Sequence, residues 1–256
     1  MTAEMRTRVE PVMGTAFGIT VDGALDPAVL DAAFAWLHAV DATFSTYRAD
    51  SEISRLGRGE LDLDDASPDV RIVLRRCAEL TDLTDGWFTA QRREGGFDPS
   101  GLVKGWSIDE AAVILRMGGA RSFSINGGGD IVCAGAVADG RRGWRTGIRD
   151  PGDPRSVVAV LDLTDQAIAT SGTYERGAHI WGAGGGRIAD RATLAGVSVI
   201  GPNLGTADAL ATAVFAEGSG RPAWLGRFPG YDLVLVTTDG RLLSTPGADA
   251  LRVRAA

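Results

Sequence analysis

Cysteine is scarce in this chain. Cys77 and Cys133 are the only two among 256 residues, too few for a disulfide framework. Cys77 falls on the apolar face of a predicted helix and Cys133 in an apolar strand, so both read as buried thiols. Long apolar runs are missing as well: no stretch of about 20 apolar residues occurs, so no membrane-spanning helix is expected. The opening MTAEMRTRVEPVMGT lacks the apolar core of about 7–15 residues that a signal peptide carries, and a cytoplasmic protein fits these features. Lys and Arg form no dense run and the net charge is −7, so a nucleic-acid partner is not expected. An anionic ligand would need local help from helix N-termini, a metal or single basic residues. Neither a GxGxxG fingerprint nor a P-loop is present.

What is present is an ordinary globular composition, 45% apolar and 23% charged. No internal repeat or long linker interrupts it, and one domain over residues 1–256 is expected. Leu30, Phe34, Leu37, Val40 and Phe44 follow the 3.6-residue period and predict a helix from Pro27 to Phe44. A second helix runs from Pro68 to about Asp85, with Ser67 as its cap and Gly86 as its stop. A third begins near Lys104 and ends at Met117. A fourth spans Thr206 to Ala216, and a shorter one Arg221 to Phe228. His38 sits on the flank of the first helix and reads as structural or exposed. Trp87-Phe88-Thr89 reads as a short extended piece. Strands are predicted at 16–22, 121–126, 131–137, 144–149, 157–163, 167–170 and 195–200, with a terminal hairpin around Asp239-Gly240. Strand runs joined by short turns between 121 and 170 favour antiparallel pairing and an α+β class, mainly antiparallel sheet layers packed with helices.

Four places carry possible chemistry. Asp98 precedes Pro99-Ser100-Gly101, and Lys104 follows. Lys104 stands near a helix start, where the dipole disfavours a cation, so it could meet a phosphate or a carboxylate. Asp98 could equally open an Asx turn. Asp208 and Thr212 are four apart and project from one helix face; their oxygens suit a hard cation such as Mg2+, although an acid in a first turn also serves the dipole. Gly127–Gly129 lies between two strands. It is either a tight turn or a place where backbone meets a ligand, with Asn126 and Asp130 as polar contacts. His179 is one of two histidines and adjoins the glycine-rich stretch 182–186, which makes it a candidate acid or base.

Together these pieces resemble the ApbE-type FAD:protein FMN transferases. The matching stretches follow the family order: Met13 to Thr15, Phe44 to Tyr47, Ser51 to Arg55, Gly86 to Phe88, Asp98 to Gly105, Ser124 to Asp130, Trp144 to Pro151, Ala169 to Gly172, His179 to Trp181, and Val197 to Phe215. The resemblance implies an α+β fold, binding of FAD and Mg2+, and transfer of FMN to a threonine or serine hydroxyl of an acceptor flavoprotein, with AMP leaving. It implies FAD contacts at Met13, Tyr47, Trp87, Phe88, Thr89, Asp98, Lys104 and Trp181, with Tyr47 stacking on a ring of the dinucleotide. It implies metal ligation by the Gly101 carbonyl, Asp208 and Thr212. His179 is the candidate proton acceptor.

One stretch departs from the pattern. The family usually continues from its histidine as H-I-[IVW]-D-P-[RK]-T-G. Here the run is His179-Ile180-Trp181-Gly182-Ala183-Gly184-Gly185-Gly186, without the acid, proline, basic residue or threonine. Thr89 also stands where many members carry Asp, and the loop between Gln91 and Phe97 is short. Two alternatives follow from the changed run: FAD hydrolysis to FMN and AMP, or FAD binding without turnover.

Overall fold

Antiparallel pairing organises both sheets of the described residues. The computed structural model describes residues 5–92, 95–137, 143–153, 155–172 and 193–253. The first two strands, β1 (Met5–Val12) and β2 (Thr15–Asp22), form a hairpin with Val12 opposite Thr15. Its two-residue turn, Met13-Gly14, has φ of 51° and 72°, the left-handed pair that matches strand twist in tight hairpins. β1 is absent from the sequence reading because most of its residues on both faces are exposed, which leaves no hydrophobic alternation to detect.

Three helices follow β2. α1 (Pro27–Phe44) is capped by Asp26, whose side chain accepts from the Ala28 N–H. His38 lies on its outer flank, exposed, and meets Glu10 at 2.8 Å, in keeping with the structural or exposed role expected of it. α2 (Glu52–Gly57) is a short helix that the periodicity does not reveal; Ser51 caps it by accepting from the Ser54 N–H. α3 (Pro68–Leu83) buries Val70, Val73, Leu74, Cys77 and Leu80 as expected. Ser67 occupies its N-cap position but makes no side-chain cap bond. Instead the Ser67 N–H donates to Glu52 at 2.7 Å, which ties α3 to α2. The chain then passes through Trp87-Phe88-Thr89, which is a bend at Trp87 and Phe88 and irregular at Thr89, not the extended piece expected.

α4 (Ser100–Met117) starts four residues earlier than the spacing predicts. The Asp98 carboxylate accepts from the Ser100 N–H at 3.2 Å, and this local bond turns the chain into the helix directly after Pro99. Gly101, Leu102 and Val103 are therefore helical and buried, and Lys104 lies in the second turn, not at the start.

Beyond α4 the sheet is a near-meander: β3 (Phe123–Gly127), β4 (Asp130–Ala134), β7 (Gln166–Gly172), β8 (Leu194–Gly201), β9 (Asp232–Thr237) and β10 (Leu242–Ser244). With β1 and β2 they make an eight-stranded sheet in the order β1-β2-β3-β4-β7-β8-β9-β10. Every pair in it is antiparallel. Between β4 and β7 the chain leaves the sheet as a separate hairpin, β5 (Trp144–Arg149) and β6 (Val157–Leu163). Ile148, Leu161 and Leu163 of this hairpin pack on Cys133, Ile168, Ile200 and Val234 of the sheet. Alternate residues Val132, Ala167, Ala169, Val197, Val199, Leu233 and Leu235 join the helices' core on the other face. The central strands are thus buried on both faces, which is why they read as continuous apolar runs.

The fourth predicted helix is α5 (Leu204–Glu217), ended by Gly218 at φ 81°. Ala223–Arg227 is a 3-10 turn, and α6 (Pro246–Ala250) closes the described chain. α5 packs antiparallel along α4, and the two backbones nearly touch. A Cβ added to Gly105 would lie 2.6 Å from the Leu204 carbonyl oxygen and 2.8 Å from Gly205 Cα; one added to Gly205 would lie 3.0 Å from the Trp106 nitrogen.

Candidate active site

The contact between α4 and α5 brings two of the predicted metal residues, Gly101 and Thr212, side by side. Gly101 is buried at the start of α4, and a Cβ there would sit 3.4 Å from Thr212 Oγ1 and 3.3 Å from the Phe88 ring. Asp208, 2% exposed, is one turn before Thr212 on α5. A backbone carbonyl, a carboxylate and a hydroxyl form an all-oxygen donor set, which suits a hard divalent cation, and the missing Cβ at Gly101 keeps the space beside Thr212 open. The donor chemistry and this close approach fit Mg2+.

A second cluster lies where α4 faces the sheet. Lys104 Nζ meets Asp130 Oδ2 at 2.6 Å, with the two side chains 14% and 0% exposed. Asp130 Oδ1 accepts from the Thr170 N–H at 3.0 Å, and Thr170 Oγ1 lies 2.8 Å from Ser198 Oγ. Asp130 opens β4 immediately after the turn Gly128-Gly129, whose φ values are 62° and 101°. Asn126 Oδ1 closes that turn by accepting from the Gly129 N–H. The glycines at 128–129 therefore make a tight turn. The same turn touches the Met13-Gly14 hairpin, since the Gly128 N–H donates to the Ala16 carbonyl. Met13 is half-buried against the main core.

The remaining predicted contacts are more dispersed. Asp98 accepts from Arg92 at 3.3 Å as well as from Ser100, so the Asx turn is real and a side-chain ion pair accompanies it. Phe88 is 2% exposed and forms a wall behind Gly101. Trp87 is half-buried, and Thr89 is exposed with its hydroxyl accepting from the Gln91 N–H. Tyr47 stands on the loop after α1 at 99% exposure, so its ring has no cover among the described residues. His179, Trp181 and the glycine stretch 182–186 lie outside the described residues. Neither cysteine takes part: burial pushes the Cys77 thiol up to about 12 and the Cys133 thiol up to about 11, which keeps both protonated and unreactive.

Asp109 escaped the sequence reading because it sits among helix residues that resemble an ordinary solvated flank. Its two carboxylate oxygens accept from the Leu204 and Gly205 N–H groups at 2.9 and 2.8 Å, and Asn203 accepts from Thr206. The open N–H groups at the head of α5 are thereby satisfied, and the helix carrying Asp208 and Thr212 is fixed to α4. Burial pushes the Asp109 carboxyl up to about 6, against the two backbone N–H bonds that pull it down. A carboxyl raised on folding contributes stability that is complete below about pH 3.8 and is lost as pH rises through about 6. Its contribution should therefore fall by about 3 kcal/mol across that window. Thermal melts from pH 4 to 7 should show a steeper decline for the native chain than for Asp109→Asn; equal slopes would contradict the assignment.

The ApbE family model matches residues 13–93 and 89–234 of this chain. A protein of Rhodobacter capsulatus described as FAD:protein FMN transferase is 30% identical over 234 residues, covering 88% of this chain and 41% of that protein. One of Treponema pallidum with the same description is 32% identical over 184 residues, covering 64% of this chain and 51% of its own length. The chain thus spans about half the length, or less, of these two relatives. Among solved structures, the flavin transferase ApbE of Vibrio cholerae superposes with a TM-score of 0.81 at 24% identity, over 97% of this chain and 99% of that one. The ApbE protein of Thermotoga maritima superposes with a TM-score of 0.82 at 19% identity, over 98% and 100%. At these identities the superpositions establish the α+β fold. Among the described residues no helix is long and apolar enough to cross a membrane.

Proposed function

The chain belongs to the ApbE family, and from that premise we propose that it transfers FMN from FAD to a threonine or serine hydroxyl of an acceptor protein. It does so as one domain, in the cytoplasm, with Mg2+ bound. The observation that carries this reading is the α4–α5 contact, which sets Gly101 beside Thr212 and Asp208 one turn away, while Lys104 stands one turn after Gly101 on α4. The Gly101 carbonyl, the Asp208 carboxylate and the Thr212 hydroxyl would hold the cation, which supplies charge neutralisation on a diphosphate.

The chain's own groups do the rest. Lys104 supplies a positive charge for a phosphate in a site of low exposure, where a charge interacts more strongly than in water. Met13, Tyr47, Trp87, Phe88, Thr89, Asp98 and Trp181 are the proposed FAD contacts, of which Phe88 acts as a packed wall and Tyr47 offers an uncovered ring. In the reaction the acceptor oxygen bonds to the phosphorus of the FMN half. The bond from that phosphorus to the oxygen bridging to AMP breaks, AMP leaves, and the hydroxyl proton passes to a base. His179 is the candidate for that base.

The altered run after His179 supports a second reading, in which water replaces the acceptor and FMN and AMP are both released. Incubation with FAD, Mg2+ and an acceptor domain, followed by denaturing electrophoresis, separates them. Flavin fluorescence migrating with the acceptor is the expected result. AMP released without labelled acceptor would replace transfer by hydrolysis. FAD that remains intact, with a family member labelling the same acceptor in parallel, would reject both.

A further inference from the structure

The chain holds twenty-six lysines and arginines together, and only Lys104 is a lysine. The other twenty-five are arginines, each carrying its charge as a guanidinium. Arginine presents a wide planar fork, whereas lysine presents a compact ammonium. The surroundings of Lys104 account for the exception. Its Nζ is 2.6 Å from Asp130 Oδ2, and the pair is 14% and 0% exposed. Asp130 cannot swing away, because its other oxygen accepts from the Thr170 N–H on β7 and its backbone begins β4 directly after the Gly128-Gly129 turn. The carboxylate is therefore fixed by two adjacent strands, and it faces an ammonium carried by the helix above them.

We propose that Asp130 is a positioning residue: it acts through Lys104, fixing the ammonium at the glycine-turn end of the sheet for a substrate phosphate, and does not touch the substrate itself. The inference rests on the reading of Lys104 as a phosphate contact. Two considerations carry it. A carboxylate next to a diphosphate would repel it, and at 0% exposure Asp130 stands behind the ammonium. A lysine side chain also loses much rotamer freedom when a ligand immobilises it, and a partner that orders it beforehand removes that cost from binding. A buried ion pair is a poor source of net stability, so orientation is the more economical reason for this one.

The sole lysine makes the test direct. In a chain labelled with 13C-lysine, Lys104 gives the only lysine Cε signal. That signal is expected away from the free-lysine position in the native chain and close to it in Asp130→Asn, which keeps an oxygen for the Thr170 N–H. FAD affinity, read by flavin fluorescence, is expected to weaken at least tenfold in Asp130→Asn and in Lys104→Met, with no further loss in the double variant, since coupled residues do not add. Lys104→Arg, which keeps the charge and changes its shape, should weaken FAD as Lys104→Met does. An unchanged Cε signal in Asp130→Asn, a full additional loss in the double variant, or native affinity in Lys104→Arg would each overturn the proposal. If the native chain fails to bind FAD while the Cε signal still responds to Asp130→Asn, the positioning role stands and the FAD reading falls.

Discussion

Asp208→Asn is expected to lower Mg2+-dependent cleavage of FAD by about 100-fold, a loss of about 2.7 kcal/mol in transition-state stabilisation. It is also expected to raise the half-saturating Mg2+ concentration at least about tenfold. The substitution keeps the side chain's volume and removes one full charge from an otherwise neutral oxygen set. Asp208 is 2% exposed in the middle of a buried helix, so water cannot readily replace the lost ligand. Thr212→Ala should act in the same direction and less strongly, because a hydroxyl is a neutral ligand and Thr212 is only half-buried. Circular dichroism and melting should remain close to native in both. The measurement is FAD cleavage against Mg2+ concentration, and native half-saturation in both variants would remove this residue pair from the cation site.

The second large effect is expected from a residue with no chemistry. Gly105→Ala adds one methyl group, which would lie 2.6 Å from the Leu204 carbonyl oxygen and 2.8 Å from Gly205 Cα. Both obstacles are backbone, so no rotamer change relieves the clash. α4 and α5 must move apart, at a cost of about 3 kcal/mol. For a chain of this size that corresponds to a melting temperature lower by roughly 6–12 °C. The separation should also loosen the two Asp109 bonds that hold the head of α5 and widen the gap between Gly101 and Thr212. Weaker Mg2+ dependence should therefore accompany the lower melting temperature. Gly226→Ala is the control, since nothing lies within 4 Å of a Cβ there and its φ is not in the left-handed region. Equal melting temperatures for the two variants would mean that the helix crossing is softer than its geometry indicates.

Much of the architecture was legible in local patterns. α1 and the strand pair β5–β6 have the predicted bounds, because their apolar spacing and turn residues agree. The start of α4 was not legible. In the sequence Lys104 reads as the helix opening only because the preceding Asp98-Pro99-Ser100-Gly101 reads as a turn. In the structure that turn is one bond wide and the helix begins inside it. β1 and α2 were missed because neither shows a usable hydrophobic period. In the candidate site, the Gly101–Thr212 neighbourhood followed from family resemblance, not from spacing: two segments more than one hundred residues apart carry no local sign of their contact. Asp109 and the pairing of Lys104 with Asp130 lay beyond reach for the same physical reason. Each is a long-range match between a helix and an element that only the packed chain defines.

The buried thiols and the solitary lysine have a practical consequence. Coupling reagents for immobilising a protein or attaching a dye address amines or thiols. Both thiols of this chain are covered by the core. Apart from the amino terminus, the one amine belongs to Lys104, inside the candidate site. Labelling through lysine would modify the ion pair with Asp130, so a probe for studying this molecule at work needs a cysteine introduced on the solvent side. Gly226 in the turn Ala223–Arg227 has the open space for one.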